Sequence, residues 1–400
     1  MRIIITLLLG SLLSVCALSP QVQAAARLSS DSIEIRSPLL GDEPATFTIT
    51  LPANYGEDNT QKYVLMLDWH PRAQPLLAGM QDWMSHNGGW PWVETIVITP
   101  PNGHQGLGKL KSAAIETGDE ALLDFVERAL LPAIEAKYPT NGFKIVSGFT
   151  GNGGLVLHAL LRRPALFNAY IAISPVLSED FAKVLSQAKN RLKGLDKSLA
   201  GKTRFLQLST SDSDFERGEL DAFAELEAVL KANAPASLKW QSLRFDGSYY
   251  MTQPVLGVAR GIEFVFDEVH KPLAADSAIS RQGVAAILAH YLRLSREVYG
   301  FDVSAEGALI ALAKASLPDA PQRAMAVLTE SVTALPGNHS LKFELATIQA
   351  SLGKNKDAAG QLEQALTLTN HPFWQRHYQR MLIQLRASRE GESVRLSLRD

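Results

Sequence analysis

The sequence predicts an α/β fold with a mostly parallel central sheet, followed by an all-α region. Three observations predict it. Short, richly apolar runs alternate with helix-period segments through roughly the first two thirds of the chain. Beyond Lys271-Pro272 strand-like runs give way to helical periodicity. Near the C-terminus a set of small and large apolar residues recurs at an offset of 34 residues. A length of 400 residues calls for more than one domain. With 46% apolar and 20% charged residues, the composition is that of an ordinary globular protein. A formal net charge of -2 gives no electrostatic case for nucleic acid or an anionic membrane as partner.

The elements follow in order. Arg2, the apolar run Ile3 to Leu18 and the small-x-small site at Val22-Gln23-Ala24 read as a secretory signal peptide over 1–24. The run is shorter than the ~20 residues of a comfortable membrane span. Lipoprotein processing at Cys16 and an uncleaved anchor are the rival readings. Cleavage implies an exported protein, periplasmic or secreted, with no membrane span left. It also removes Cys16, the only cysteine, and with it any disulfide or thiolate chemistry. Ile33 to Arg36 and Thr46 to Leu51 alternate, as half-buried antiparallel strands do. Tyr63 to Leu67, Thr95 to Ile98, Phe143 to Val146, Tyr170 to Ile173 and Arg204 to Leu208 are short and richly apolar, as buried parallel strands are. Helical patterns separate them at Leu76 to Ser85, Ile115 to Ala136, Leu155 to Leu161 and Glu216 to Ala232. Leu238 to Phe245 gives a last strand and Val255 to Glu268 a last helix. This first domain is expected over 25–275.

Residues 276–387 read as a helical domain. Ala324, Leu328, Ser331 and Val332 recur as Ala358, Leu362, Ala365 and Leu366. That is the tetratricopeptide period, with small residues where helices cross and a large apolar one between. Pro336 closes the first unit, and the helices at Val284 to Tyr299 and Phe373 to Leu385 extend the array. A plain helical bundle is the alternative. A flexible tail is expected over 388–400.

The candidate site is the stretch VSGFTGNGGL, Val146 to Leu155. It stands between a strand-like and a helix-like run, where hydrolases set a serine on a sharp turn in the pattern G-x-S-x-G. The strained turn raises the hydroxyl above the sheet and aims the next N–H at a developing oxyanion. Gly148, Gly151, Gly153 and Gly154 supply the small residues that such a turn needs, but Thr150 replaces serine and Asn152 the final glycine.

These residues carry a resemblance. GFTGNG, then GLVLHALLRR, then PALFNAYIAISP resembles, without a gap, the G-H-S-x-G-G segment, helix and P-x-L-F-x-A-Y-I-A-I-S-P block of the putative esterase family of α/β-hydrolases, the group of esterase D and the enterochelin-type esterases. LPANY (Leu51 to Tyr55) and KYVLMLDWH (Lys62 to His70) resemble the family's opening, whose strand ends in L-D-G. HYLRLSREVYGF (His290 to Phe301) resembles the link to tetratricopeptide repeats in long members. The resemblance implies an α/β-hydrolase fold acting on esters or thioesters. It places Thr150 at the nucleophile position. The family's H-x-S-x-P stands seven residues before a G-L-x-F-x-F helix, and here Pro254 precedes GIEFVF by that spacing. Tyr250 then falls where the family has histidine. Asp212 is the candidate acid position, with Asp214 beside it. Gly151, Trp69 and His70 mark the oxyanion edge and pocket.

Chemistry weighs against turnover. Threonine needs a base to act as a nucleophile. A phenol with an ordinary pKa near ~10 is a poor one at neutral pH. Losing a triad serine or histidine costs on the order of a millionfold in turnover. The expectation is a catalytically inert or very slow member that binds a small ester-like ligand in its cleft and a protein or peptide on its repeats. The alternative is an active carboxylic-ester or thioester hydrolase using Thr150, with His70 or His104 as substitute base. No cofactor is expected, and the histidine spacing gives no metal site. Gly103 to Leu110 imitates a phosphate loop, but Leu110 stands where a hydroxyl should hold magnesium, so the stretch reads as coil. Trp69, Trp83, Trp90, Trp92, Tyr249 and Tyr250 could line an apolar or sugar-binding cleft, but most of them read as packing.

Overall fold

The computed structural model describes residues 29–397; the leader expected at 1–24 lies outside the described residues. Eight strands form one sheet in the order β1-β2-β4-β3-β5-β6-β7-β8. They are β1 Ser29–Ile35, β2 Ala45–Leu51, β3 Tyr63–Asp68, β4 Thr95–Thr99, β5 Thr140–Phe149, β6 Ala169–Ile173, β7 Arg204–Thr210 and β8 Leu238–Arg244. Pairs β1/β2 and β2/β4 are antiparallel. The other five pairs are parallel. Patterning explains the division. β1 alternates exposed and covered residues, whereas β3, β4, β6 and β7 are buried at every position. Strands buried on both faces are the ones that read as unbroken apolar runs.

Helices cover both faces. Gln105–Thr117, Gly151–Arg162, Val184–Lys193 and Leu220–Asn233 pack on one, around Phe47, Val146, Tyr170 and Leu206. On the other, Ala73–Ser85 and Gln253–Val265 meet Val64, Ile145 and Ile171. That second core runs on without a break into helices Val284–Arg293, Glu306–Ser316, Pro321–Ala334 and His339–Ser351. Tyr299 joins the two parts. Its ring lies 5.7 Å from that of Phe143 and 5.8 Å from that of Phe205, and its hydroxyl donates to Val265 O at 2.9 Å.

The C-terminal helices are consistent with a helical-repeat region. Ala324, Leu328 and Ser331 are buried on Pro321–Ala334, and Ala358, Leu362 and Ala365 are buried at the matching places on Asn355–Thr367.

Three expectations need correction. The helix expected over Ile115 to Ala136 is interrupted: Gln105–Thr117 ends at Gly118 in a left-handed cap, and helical structure resumes at Ala121. Gly103 to Leu110 is not coil but the start of the first of these helices. His104 caps it by accepting from Leu107 N, and Gly106 lets it approach Leu40, whose carbonyl oxygen would lie 2.2 Å from an added Cβ. Of the glycines there, Gly106 serves packing, while Gly103 takes φ 72° in the turn that precedes the helix. The tail expected to be free from 388 is laid down over 388–397. Gly391 N and Val394 N donate to Gly353 O and Ala350 O, Asn355 Nδ2 donates to Arg389 O and Glu392 O, and Val394 and Leu396 are buried. Those two apolar residues cover the end of the helical core that a bare last helix, Pro372–Ala387, would expose.

Candidate functional site

The turn between β5 and helix Gly151–Arg162 lies at the C-terminal edge of the parallel strands, where open α/β sheets bind their ligands. Thr150 sits at its apex with φ 60° and ψ -125°. For a β-branched residue this is a strained backbone. The strain is held by three hydrogen bonds: Thr150 N donates to Ile173 O at 3.0 Å, and Val176 N and Gly154 N donate to Thr150 O at 3.1 Å each. Glycine makes the tight passage feasible. A Cβ on Gly148 would lie 2.4 Å from Asn152 O, and one on Gly154 would meet the Phe181 ring at 2.6 Å. Phe181 covers the turn from the loop after β6, where Glu179, Asp180, Ala182 and Lys183 all take positive φ. Glu219 pins that loop by accepting from Leu177 N at 2.7 Å and Ser178 N at 2.8 Å. Gly151 opens the helix, so its N–H has no intrahelical acceptor.

The opposite side of a hydrolase oxyanion hole comes from the loop after the third strand. Here that loop, Trp69 to Arg72, leads into helix Ala73–Ser85, and its amides are engaged within the chain. Trp69 N donates to Ser147 O at 3.2 Å, His70 N to Asp68 Oδ1 at 2.7 Å, Arg72 N to His70 Nδ1 at 3.1 Å and Ala73 N to His70 O at 3.0 Å. Pro71 has no N–H. Trp69 is fully buried and does not line the cleft expected of it.

Beneath the turn lies a buried polar network. Lys111 Nζ donates to Trp69 O at 2.8 Å and to Asn152 Oδ1 at 3.0 Å, tying the loop to the first turn of the helix. Burial pushes the Lys111 amine down to about 8, against the pull of Asp68. Burial lifts the Asp68 carboxyl to about 6, opposed by hydrogen bonds from Ser147 Oγ and His70 N and by the Lys111 charge. Burial first, then the charges of Lys111 and Arg72, lower the His70 pKa and keep its ring neutral near pH 7.

The remaining predicted residues divide. Tyr250 comes to the turn: its ring packs 4.8 Å from that of Phe149 and stacks 5.0 Å from that of Phe215. Burial, then Glu216 and Glu219, raise its phenol further from a base's range. Asp212 is exposed and accepts from Gly247 N at 2.8 Å, which shapes a surface turn. Asp214 pairs with Arg217 on the surface. His104 is committed as a helix cap, with Nε2 3.2 Å from Glu43 O. The buried acid after β7 is Glu216, which accepts from Thr210 Oγ1, Ser211 and Ser213. The sequence flagged neither Glu216 nor Lys111. The acid stands four residues past an already sufficient Asp212, and Lys111 meets Trp69 across 42 positions.

In front of the turn is a cleft of about 600 Å³ lined by His70, Arg72, Leu76, Phe149, Ile173, Met251 and Val255, among others. Its walls are mostly apolar.

The family model described as Putative esterase matches residues 37–239. A siderophore triacetylfusarinine C esterase of Aspergillus fumigatus is 36% identical over 94 residues, 23% of this chain; the match spans 30% of that relative's length. Among solved structures, an uncharacterised protein from Capnocytophaga ochracea aligns with a TM-score of 0.63 at 18% identity, over 90% of this chain and 100% of its own. An IroE-like serine hydrolase from Shewanella oneidensis aligns with a TM-score of 0.54 at 20% identity, over 72% of this chain and 94% of its own. These two share the fold. Among the described residues no helix is long and apolar enough to cross a membrane.

Proposed function

This chain belongs to the Putative esterase family, and from that premise we propose that it is an exported binding protein whose cleft holds a small ester-like ligand without hydrolysing it at an enzymatic rate. The engaged amides of Trp69, His70, Arg72 and Ala73 carry this reading. A tetrahedral oxyanion needs donors that are free when its charge develops, and losing one typically costs on the order of a hundred- to a thousandfold. The absence of an imidazole at Tyr250 acts on top of that, since the hydroxyl of Thr150 has no base to take its proton. Residues 1–24 direct export to the periplasm or medium, 25–275 form the cleft-bearing domain, and 276–387 offer a tetratricopeptide-like surface to a protein or peptide. The second reading is a carboxylic-ester or thioester hydrolase with Thr150 as nucleophile. It is favoured by the strained apex, which keeps a β-branched hydroxyl residue at φ 60°.

Hydrolysis of a p-nitrophenyl ester series by the purified protein, beside Thr150→Ala, separates the two. Equal, near-background rates support the binding protein. Rates far above an unrelated protein that vanish in the variant establish the hydrolase.

A further inference from the structure

We infer that the cleft in front of the turn recognises an apolar monocarboxylate, with Arg72 taking the carboxylate and the hydrophobic walls the tail. The inference rests on the reading of this cleft as a binding site. Its walls are Leu76, Leu77, Phe149, Ile173, Val255 and Val258, and its volume of about 600 Å³ falls within the range of small-molecule sites, ~300–1,000 Å³. Met251 and Val255 stand exposed at 74% and 41%, so apolar surface continues onto the rim, where a tail can enter.

Charge decides the head group. Arg72 lines the cleft, is exposed, and makes no side-chain hydrogen bond or ion pair among the described residues. The other charged group in the lining is Asp68, and its carboxylate is already occupied. Ser147 Oγ donates to one oxygen and His70 N to the other, with Lys111 as the neighbouring charge. His70 Nδ1 accepts from Arg72 N, so its proton rests on Nε2 as a second neutral donor. The wall therefore offers one uncompensated guanidinium, whose fork geometry suits a carboxylate. With a neutral ester in the cleft, water alone answers that cation. A free carboxylic acid, the kind of molecule an ester hydrolase would release, satisfies it.

Calorimetric titration of the purified protein at pH 7.5 with octanoate, decanoate and 1-decanol tests this. Decanoate is expected to bind more tightly than 1-decanol, and more tightly than octanoate by about fourfold for each added methylene. Arg72→Gln, at an exposed position that does not threaten folding, is expected to weaken decanoate by about tenfold or more and leave 1-decanol within about twofold. Val255→Asp, at the open rim, is expected to weaken decanoate more than 1-decanol. Equal affinity for acid and alcohol, or an unchanged Arg72→Gln, overturns the carboxylate assignment. Binding of neither overturns the cleft as its site. Release of p-nitrophenol from p-nitrophenyl decanoate, followed on the same samples, reports separately on the non-hydrolytic reading: Thr150-dependent turnover removes that reading and leaves the calorimetry to judge the ligand.

Discussion

The turn at Thr150 and the loop at Trp69 to Arg72 face each other across one end of the sheet, and they have been treated differently. The turn has the shape of a nucleophile elbow: a strained apex and glycines where a Cβ would strike backbone or Phe181. The loop has turned its amides inward, onto Ser147, Asp68 and His70. Scaffolding and chemistry are therefore separable. The packing of β5, β6 and the following helix depends on the shape of the turn, through the glycines and the backbone hydrogen bonds of Thr150.

The sharpest break of that comparison is at Gly148. Gly148→Ala forces a Cβ to 2.4 Å from Asn152 O and is expected to cost about 3 kcal/mol or more in urea unfolding. Gly79→Ala, on a helix with open space around it, is expected to stabilise by about 0.5–1 kcal/mol in the same assay. Equal effects would mean that the elbow carries no packing role.

The network under the loop responds to pH. Asp68 is raised from 3.8 to about 6 by burial. The folded protein thus keeps a proton that the unfolded chain has lost, and the stability this contributes is complete below about pH 4 and gone as pH rises through about 6. The shift is worth about 3 kcal/mol. From pH 4 to 6.5 the unfolding free energy from urea titration should fall by that order relative to Asp68→Asn; parallel curves would remove Asp68 as the cause.

A smaller effect is expected at the apex. Thr150→Gly relieves a backbone that β-branched residues avoid and should stabilise by about 1–2 kcal/mol, read as a higher melting temperature. A destabilised variant would show that the threonine side chain is itself packed to advantage.

The smallest effect concerns turnover. If the loop limits the reaction, Thr150→Ser with Tyr250→His should raise p-nitrophenyl acetate hydrolysis by less than about tenfold, a barrier change under about 1.4 kcal/mol. A gain of several orders of magnitude would move the limit from the loop to the missing triad.

The strands from β1 to β7 follow the alternation or the apolar runs of the sequence, because burial on one face or two leaves a period that single residues report. The elbow was legible for the same reason: its glycines are adjacent in the chain. The loop was not. That Trp69 N meets Ser147 O, or that Lys111 reaches Asn152, depends on pairings 41 to 78 residues apart that leave no local mark. Arg72 looked like any surface charge until the walls around it could be seen. The helices Val184–Lys193 and Glu306–Ser316 leave a weak mark in the sequence, because polar residues dilute the first and small residues the second. The docked tail was hidden by its mixed charges, which outweigh Val394 and Leu396 in composition but not in packing.

Tyr299 gives the molecule one further property. By resting on Phe143, Phe205 and Phe266 together, it joins the back of the sheet to the first helices of the array in one apolar core, which runs as far as His339–Ser351. Helices that share a core with the sheet cannot be exchanged like beads on a string without exposing that core. Any partner that grips the helices pulls on the same framework that shapes the cleft.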